Sequence, residues 1–225
     1  VKYKKFKALV TSGPTREYLD PVRYISNESS GKQGYEIALA LTRLGIKTTL
    51  ITGPTIQNVI SKELNIKKII TANEMMNEVL KTLPVDVAVC AAAVSDFKPK
   101  RKSKNKIKKN TNNSKFIQIE ENLDILSYLG KNNKNRPKVV VGFSAETENI
   151  IKNSKVKLKE KYCDLIIAND VSKKNHGFNS DYNKVSIIDK KGEVQSIPKN
   201  KKSFIANKLA KIILDKLLVN DKNFN

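Results

Sequence analysis

The chain of 225 residues contains no tryptophan, one histidine, two cysteines and nine glycines, and only five of its 43 basic residues are arginine. Each shortage closes off a class of chemistry. With His176 alone, set in the polar run Lys174-Asn175-His176-Gly177, a zinc site or a Ser-His-Asp triad has too little to be built from. Cys90 and Cys163 each sit inside an apolar, strand-like run, which reads as two buried free thiols in a reducing compartment. The formal charge is +21, but nucleic-acid readers lean on arginine forks, and 43 basic residues less five arginines leaves 38 lysines spread along every segment. That pattern points to solvated surface with a bias toward anionic ligands, and to no specific nucleic-acid partner. No apolar run approaches the roughly 18 residues of a membrane span. The basic stretch 1–7 leads into a strand-length Ala8-Leu9-Val10 rather than a signal-peptide core, so no membrane and a cytoplasmic location are expected. Neither a Walker A pattern nor a full G-x-G-x-x-G occurs.

What is present is an alternation of short apolar runs with amphipathic ones. Residues 7–11, 48–52, 67–71, 86–93, 116–119, 139–143 and 164–168 read as strands. Between them, 35–44 carries Ile37, Leu39, Ala40, Leu41 and Leu44 before Gly45, a natural helix terminator. Thr71-Ala72-Asn73-Glu74 is a capping box, followed by Met75, Met76, Val79, Leu80 and Leu83 as a buried stripe. Asn122 is placed to cap a short helix ending at Gly130, and 149–161 and 203–219 read as further helices. Residues 185–189 and 193–197 flank Lys190-Lys191-Gly192 as a hairpin. These elements predict an α/β fold: a Rossmann-like, mostly parallel sheet with helices on both faces, plus a small C-terminal hairpin. No linker or repeat interrupts 1–225, so one domain is the economical reading.

Three stretches carry candidate chemistry. Ser29-Ser30-Gly31-Lys32-Gln33-Gly34 precedes the first helix, where small residues let backbone N–H groups cradle an anion at the positive helix end. The loop before it is long for a βα connection and holds Arg16 and Arg23, which either meet a ligand or pair with Glu17 and Asp20. Ala91-Ala92-Ala93-Val94-Ser95-Asp96-Phe97 ends the most apolar strand with small residues, allowing a flat ligand to approach while Asp96 accepts from a base or ribose. Behind it, 98–109 holds eight Lys or Arg in twelve residues, either a solvated face or a cationic flap over a triphosphate.

Together these pieces resemble the phosphopantothenate–cysteine ligase (phosphopantothenoylcysteine synthetase) family, bacterial CTP-dependent type, over nearly the whole chain. The resemblance rests on Gly13-Pro14-Thr15-Arg16-Glu17, Asp20-Pro21-Val22-Arg23-Tyr24-Ile25-Ser26-Asn27, Ser29-Ser30-Gly31 and Ala92-Ala93-Val94-Ser95-Asp96-Phe97. It continues through Lys106-Ile107-Lys108-Lys109, Gly142-Phe143-Ser144-Ala145-Glu146-Thr147, Ala168-Asn169-Asp170-Val171 and Gly177-Phe178-Asn179-Ser180-Asp181. It implies a ligase that joins 4′-phosphopantothenate to L-cysteine with CTP through an acyl-cytidylate, releasing pyrophosphate and CMP in coenzyme A biosynthesis. It also implies Mg²⁺, a homodimer, and a nucleotide-binding ligase domain of the kind found as the C-terminal half of longer bifunctional chains. The hairpin at 185–197 and the loop at 177–181 are the candidate dimer contacts.

Carried over by position, the resemblance makes Asn27 and Lys106 catalytic, and assigns Ser29, Ser30, Gly31, Ala92 and Ala93 to substrate or intermediate. Asp96, Lys106, Asn122, Leu123, Asp124, Ile125, Phe143, Lys157 and Lys161 would bind nucleotide, while no metal ligand is assigned. Lys157 and Lys161 are four apart and so share one helix face. Two departures stand out: Glu121-Asn122-Leu123-Asp124 where the family often has Lys-Asn-Pro-Asp, and Ser95 where alanine is usual. The rivals are a dinucleotide oxidoreductase, opposed by the missing glycine fingerprint, and a nucleic-acid module, opposed by the shortage of arginine.

Overall fold

The computed structural model describes residues 3–55, 61–108, 116–131, 134–171 and 180–223. His176, Lys109 and residues 177–179 of the expected dimer loop lie outside them.

Eight strands form one sheet: β1 (Lys7–Ser12), β4 (Lys47–Thr52), β5 (Asn65–Lys68), β6 (Val87–Cys90), β9 (Val139–Glu146), β10 (Leu165–Asp170), β11 (Tyr182–Asp189) and β12 (Val194–Lys201). Their spatial order is β12-β11-β10-β9-β6-β1-β4-β5. The six strands from β5 to β10 are parallel, and only the terminal hairpin runs against its neighbour. In chain order those six read 3-2-1-4-5-6, the doubly wound arrangement, with its reversal between β1 and β6. Two further ribbons, β2 (Arg16–Tyr18) with β3 (Tyr24–Ser26) and β7 (Phe97–Pro99) with β8 (Ile119–Glu121), stand outside the sheet.

The central strands are apolar on both faces, and the period of two sorts their side chains between two cores. Val10, Val89, Val141 and Ile167 pack under α1 (Lys32–Arg43) and α5 (Lys202–Asn223) with Ile37, Leu41, Leu209 and Ile213. Leu9, Ala88, Val140 and Ile166 pack on the other face with residues of α2 (Ala72–Thr82), α3 (Ile125–Lys131) and α4 (Ile150–Glu160). Because β11 opposes β10 and β12 opposes β11, β12 points the same way as the parallel strands, and α5 starts at their carboxyl edge. Two helices, α1 and α5, therefore begin on the edge where such sheets bind ligands.

Most expected elements are present, with shifts that have local causes. The third strand is Asn65–Lys68 rather than 67–71, because Thr71 leaves extended pairing to cap α2: its side chain accepts from Glu74 N, and Glu74 accepts from Ile70 N. Met75, Met76 and Val79 are buried as expected, but Leu80 is 43% exposed, since α2 turns only a narrow stripe inward. The run 116–119 lies mostly outside a strand; pairing covers Ile119–Glu121, on the flap ribbon and not in the main sheet. The cap of α3 is Asp124, which accepts from Ser127 N at 2.8 Å; Asn122 instead donates to Ser95 O at 2.9 Å. The hairpin is longer than read, and its turn is closed by Gly192 at φ 81.

Candidate functional site

A cavity of about 650 Å³ opens at the carboxyl edge, over the β1/β6 reversal. Its wall brings together Asn27, Ser29, Ser30, Gly31, Ala92, Ala93, Asp96, Asn122, Leu123, Asp124, Ile125, Phe143 and Lys157, residues from five separate segments. Such a volume suits a small-molecule pocket rather than a crevice between loops.

The floor is set by the turn into α1. Gly31 has φ 71, and a Cβ there would lie 2.7 Å from Thr55 Cγ2, so this turn requires glycine. Gly34 lets the first turn of α1 settle on β1, where a Cβ would lie 2.7 Å from the Ser12 side chain. Ser12 Oγ donates to Gly31 O at 2.6 Å and pins the turn. Ser29 and Ser30 accept from Gly31 N at 3.3 Å and Lys32 N at 3.5 Å, long bonds that a stronger acceptor can replace. α1 has no acidic residue in its first turn and no side-chain cap from Gly31, so no carboxylate of its own offsets its positive end.

Asn27 reaches across from the end of the β2–β3 ribbon. Its Nδ2 donates to Ala93 O at 3.3 Å and Val94 O at 3.0 Å. Those bonds use both amide hydrogens and leave Oδ1 as the atom offered to a ligand. The segment opposite is held as firmly, with Ser95 N on Thr15 Oγ1 at 3.0 Å and Asn122 N on Asp96 O at 2.8 Å. Asn122 Oδ1 and Gln33 Oε1 are buried acceptors with no hydrogen-bond partner among the described residues, and both Asn122 and Gln33 line this cavity.

Two assigned lysines are placed differently from the rest. Lys161 follows the last turn of α4, off the wall, and its Nζ is 2.7 Å from Asp124. That hydrogen bond raises the Lys161 pKa; burial works against ionisation of Asp124, yet Lys161 and the Ser127 N–H hold its carboxyl below the ordinary value. Lys106 is exposed on the segment between β7 and β8, also off the wall. Its neighbour Ile107 is anchored: the Ile107 N–H donates to Asp20 at 3.2 Å, and Arg23 donates to Ile107 O at 2.9 Å. Asp20 is fully buried and ion-paired to Arg23, whose guanidinium holds the Asp20 carboxyl well below the usual range. Of the two pairings considered for the long loop, then, Arg23–Asp20 forms. Arg16 instead lies 4.6 Å over the Tyr24 ring, and Glu17 accepts from Ala72 N.

Cys163 is buried and Cys90 half-buried on the cavity wall. Burial pushes both thiols up, Cys163 to about 12, so neither is poised as a nucleophile. The wall also contains Asn183 and Lys202, which the sequence reading did not single out, and Gln33, Ser144 and Asn169, which it held in motifs without a role of their own. Lys202 is the most consequential: it stands in Lys199-Asn200-Lys201-Lys202, which reads as solvated surface, yet it is 3% exposed. The sole hint was its place at the junction of the last strand and the last helix.

The chain matches the family described as DNA/pantothenate metabolism flavoprotein C-terminal domain over residues 3–217. It belongs to that family. It is 42% identical over 212 residues to the coenzyme A biosynthesis bifunctional protein CoaBC of Borreliella burgdorferi, covering 93% of this chain and 53% of that protein. The CoaBC protein of Bacillus subtilis is 37% identical over 191 residues, 84% of this chain and 46% of that one. The chain thus spans about half the length of the curated relatives it matches. A crystal structure of the C-terminal domain of a CoaBC protein superposes with TM-score 0.79 at 33% identity, covering 97% of this chain and 98% of that domain. The Rossmann-like reading and the family resemblance both hold for this member. No helix among the described residues is long and apolar enough to cross a membrane.

Proposed function

We propose that this domain joins 4′-phosphopantothenate to L-cysteine at the expense of CTP. The observation that carries the reading is the cavity itself. Thirteen of the positions assigned by resemblance meet on one wall at the topological switch point, in a chain that aligns end to end with a CoaBC C-terminal domain.

In the first step the substrate carboxylate attacks the α-phosphorus of CTP, the α–β anhydride bond breaks, and pyrophosphate leaves. In the second, the cysteine amine attacks the acyl carbon, sheds a proton, and CMP leaves. Ala92 and Ala93 admit the flat acyl-nucleotide, and Phe143 borders the same wall. Asn27 Oδ1 accepts from the cysteine amine and orients its lone pair on the acyl carbon. Asn122 Oδ1, buried without a hydrogen-bond partner among the described residues, suits the exocyclic amino group of cytosine. Lys157 faces the phosphate chain, and Lys161 joins it when released from Asp124.

Lys106 supplies positive charge as negative charge builds on the phosphates. A triphosphate substrate carries Mg²⁺ on its own oxygens with few protein ligands. The carboxylates on the wall are Glu28, Asp96, Glu121 and Asp124, and no group of three His, Cys, Asp or Glu residues placed to hold a metal ion occurs among the described residues. A homodimer in a reducing cytoplasm belongs to the same reading, and light scattering weighs it.

The test is pyrophosphate release from CTP in the presence of 4′-phosphopantothenate alone. Release without cysteine, with CTP favoured over ATP by at least roughly tenfold, is the expected result. Absence of release, or equal rates with the two nucleotides, defeats the corresponding part of the reading.

A further inference from the structure

Asp20 lies outside the cavity wall, has no role in the scheme above, and is fully buried in the turn between β2 and β3. Its Oδ1 accepts from Val22 N at 2.8 Å and Arg23 N at 3.0 Å, which closes an Asx turn. Its Oδ2 takes the Arg23 guanidinium through Nε at 3.0 Å and through Nη2. Those four bonds would satisfy a carboxylate that only shaped its own turn. A fifth donor comes from far along the chain: Ile107 N–H, one residue past Lys106, reaches Oδ2 at 3.2 Å.

Two more bonds join the same partners. Arg23 Nη2 donates to Ile107 O at 2.9 Å, and Ser103 N donates to Leu19 O at 2.9 Å. Residues 103–107 are therefore tied to the turn at both ends, with Lys106 between the ties. The other end of the ribbon is fixed to the sheet. Arg16 N donates to Ile70 O at 2.8 Å, Glu17 accepts from Ala72 N at 2.9 Å, and Ser26 Oγ donates to Thr15 O at 2.7 Å. Asn27 follows Ser26 at that fixed end. The ribbon between is three residue pairs long, Arg16–Ser26 to Tyr18–Tyr24, roughly 10 Å of strand rise.

We propose that Asp20 is a positioning residue: by accepting from Ile107 N–H and holding Arg23 against Ile107 O, it docks residues 103–107 on the β2–β3 turn and sets Lys106 at a fixed separation from Asn27. One ribbon then carries both residues assigned to the chemistry, one at each end. The part played by Lys106 rests on the ligase reading, whereas the docking does not. A lysine on an otherwise exposed segment gains its electrostatic effect only if its backbone is held where charge develops, and Asp20 supplies that hold without touching substrate.

The experiment combines single-turnover pyrophosphate release without cysteine and residue-resolved amide hydrogen exchange, on wild type, Asp20→Asn, Arg23→Lys, Glu17→Gln, Lys106→Gln and the Asp20→Asn/Lys106→Gln double variant. Asp20→Asn is expected to slow release at saturating CTP by roughly 10- to 100-fold, the scale of a displaced reacting group, with CTP affinity within about twofold. Glu17→Gln removes a buried carboxylate from the same ribbon that faces α2 and not the 103–107 segment, so its release should stay within about threefold of wild type. In the Lys106→Gln background, Asp20→Asn should cost nothing further, because the residue it positions is gone. Additive losses, or an unchanged rate in Asp20→Asn, overturn the proposal. Exchange reads the docking by itself: in wild type the Ser103 and Ile107 amides should exchange more slowly than those of Lys104 and Lys106. Asp20→Asn should abolish the Ile107 protection and Glu17→Gln should keep it; no protection in wild type overturns the docking. Should Asp20→Asn not fold, Arg23→Lys decides, since lysine keeps a charge for Asp20 but cannot fork to Ile107 O; it should slow the same step by less, and a full rate with full protection overturns the proposal. If wild type shows the protection but releases no pyrophosphate, the docking stands and the ligase reading falls. If wild type turns over and Asp20→Asn does so equally fast, the ligase reading stands and the positioning role falls.

Discussion

The two ends of the cavity handle positive charge in opposite ways. At the α4 end, Lys161 is already neutralised by Asp124, and the hydrogen bond between them raises the lysine pKa. At the α1/α5 corner, Lys202 is buried beside another lysine and its pKa falls to about 8. The first arrangement costs the protein little, whereas the second costs it stability. The flap lysine differs from both, because Lys106 is exposed and held only through the anchored backbone of Ile107.

The largest expected effect sharpens that last distinction. If the wall cations bind and the flap cation serves chemistry, Lys106→Gln should slow pyrophosphate release by about 2–4 kcal/mol in transition-state terms, or roughly 30- to 1,000-fold. Melting temperature should not move, since the residue has no core contact to lose. Lys100→Gln and Lys104→Gln remove the same charge from the same segment, and their loss should be several-fold at most. Equal loss in all three, measured by single-turnover pyrophosphate release without cysteine, would reduce Lys106 to one part of a diffuse field.

Next in size is the cost of Lys202. Its folded pKa lies below the unfolded value of about 10.4, so folding disfavours its charged form. The penalty is full below pH 8 and fades as pH rises through 8 to 10, where the unfolded chain binds the extra proton. Lys202→Met should therefore stabilise the ligand-free protein at pH 7 by about 1–3 kcal/mol in phosphate-free buffer, with the gain shrinking toward pH 10. Denaturant melts at the two pH values read this directly. A variant less stable than wild type at pH 7 would mean the ammonium is already well compensated, and the contrast between the two ends would collapse.

The contrast also marks where sequence stops informing. Periodicity of two and capping chemistry are local, so the central strands, the Thr71 cap and the buried Met75 and Met76 were legible. Ser29–Gly31 was legible because a small-residue turn opening a helix has a local meaning. Lys202 was not, because its burial comes from β12 returning parallel to β10 and delivering α5 to the carboxyl edge, a matter of topology rather than of neighbours. Asn122 was misread as a cap for a related reason. Its partner Ser95 is 27 residues away in the chain, and Asp124 stands closer to the first helical N–H groups. Lys157 and Lys161 share a helix face as their spacing predicts, but only the position of α3 decides that Lys161 meets Asp124.

The smallest effect tests the α4 end. Asp124→Asn keeps a good N-cap for α3, since asparagine accepts from the Ser127 N–H nearly as well as aspartate does. What it removes is the charge that holds Lys161. Both side chains are partly exposed, 43% for Asp124 and 29% for Lys161, so the pair should contribute no more than about 1 kcal/mol to stability. Because the Asp124 pKa is lowered on folding, that contribution is present at neutral pH and lost as pH falls through the acid range, a slope the variant should lack. Released from its partner, Lys161 is free to follow Lys157 onto the phosphates, and CTP should bind tighter by roughly two- to fivefold, an effect under about 1 kcal/mol. The acid substrate should bind unchanged. If CTP binding weakens instead, Asp124 touches the nucleotide or its cation directly, and pairing with Lys161 is the resting place of a ligand-binding carboxylate rather than a restraint on a lysine.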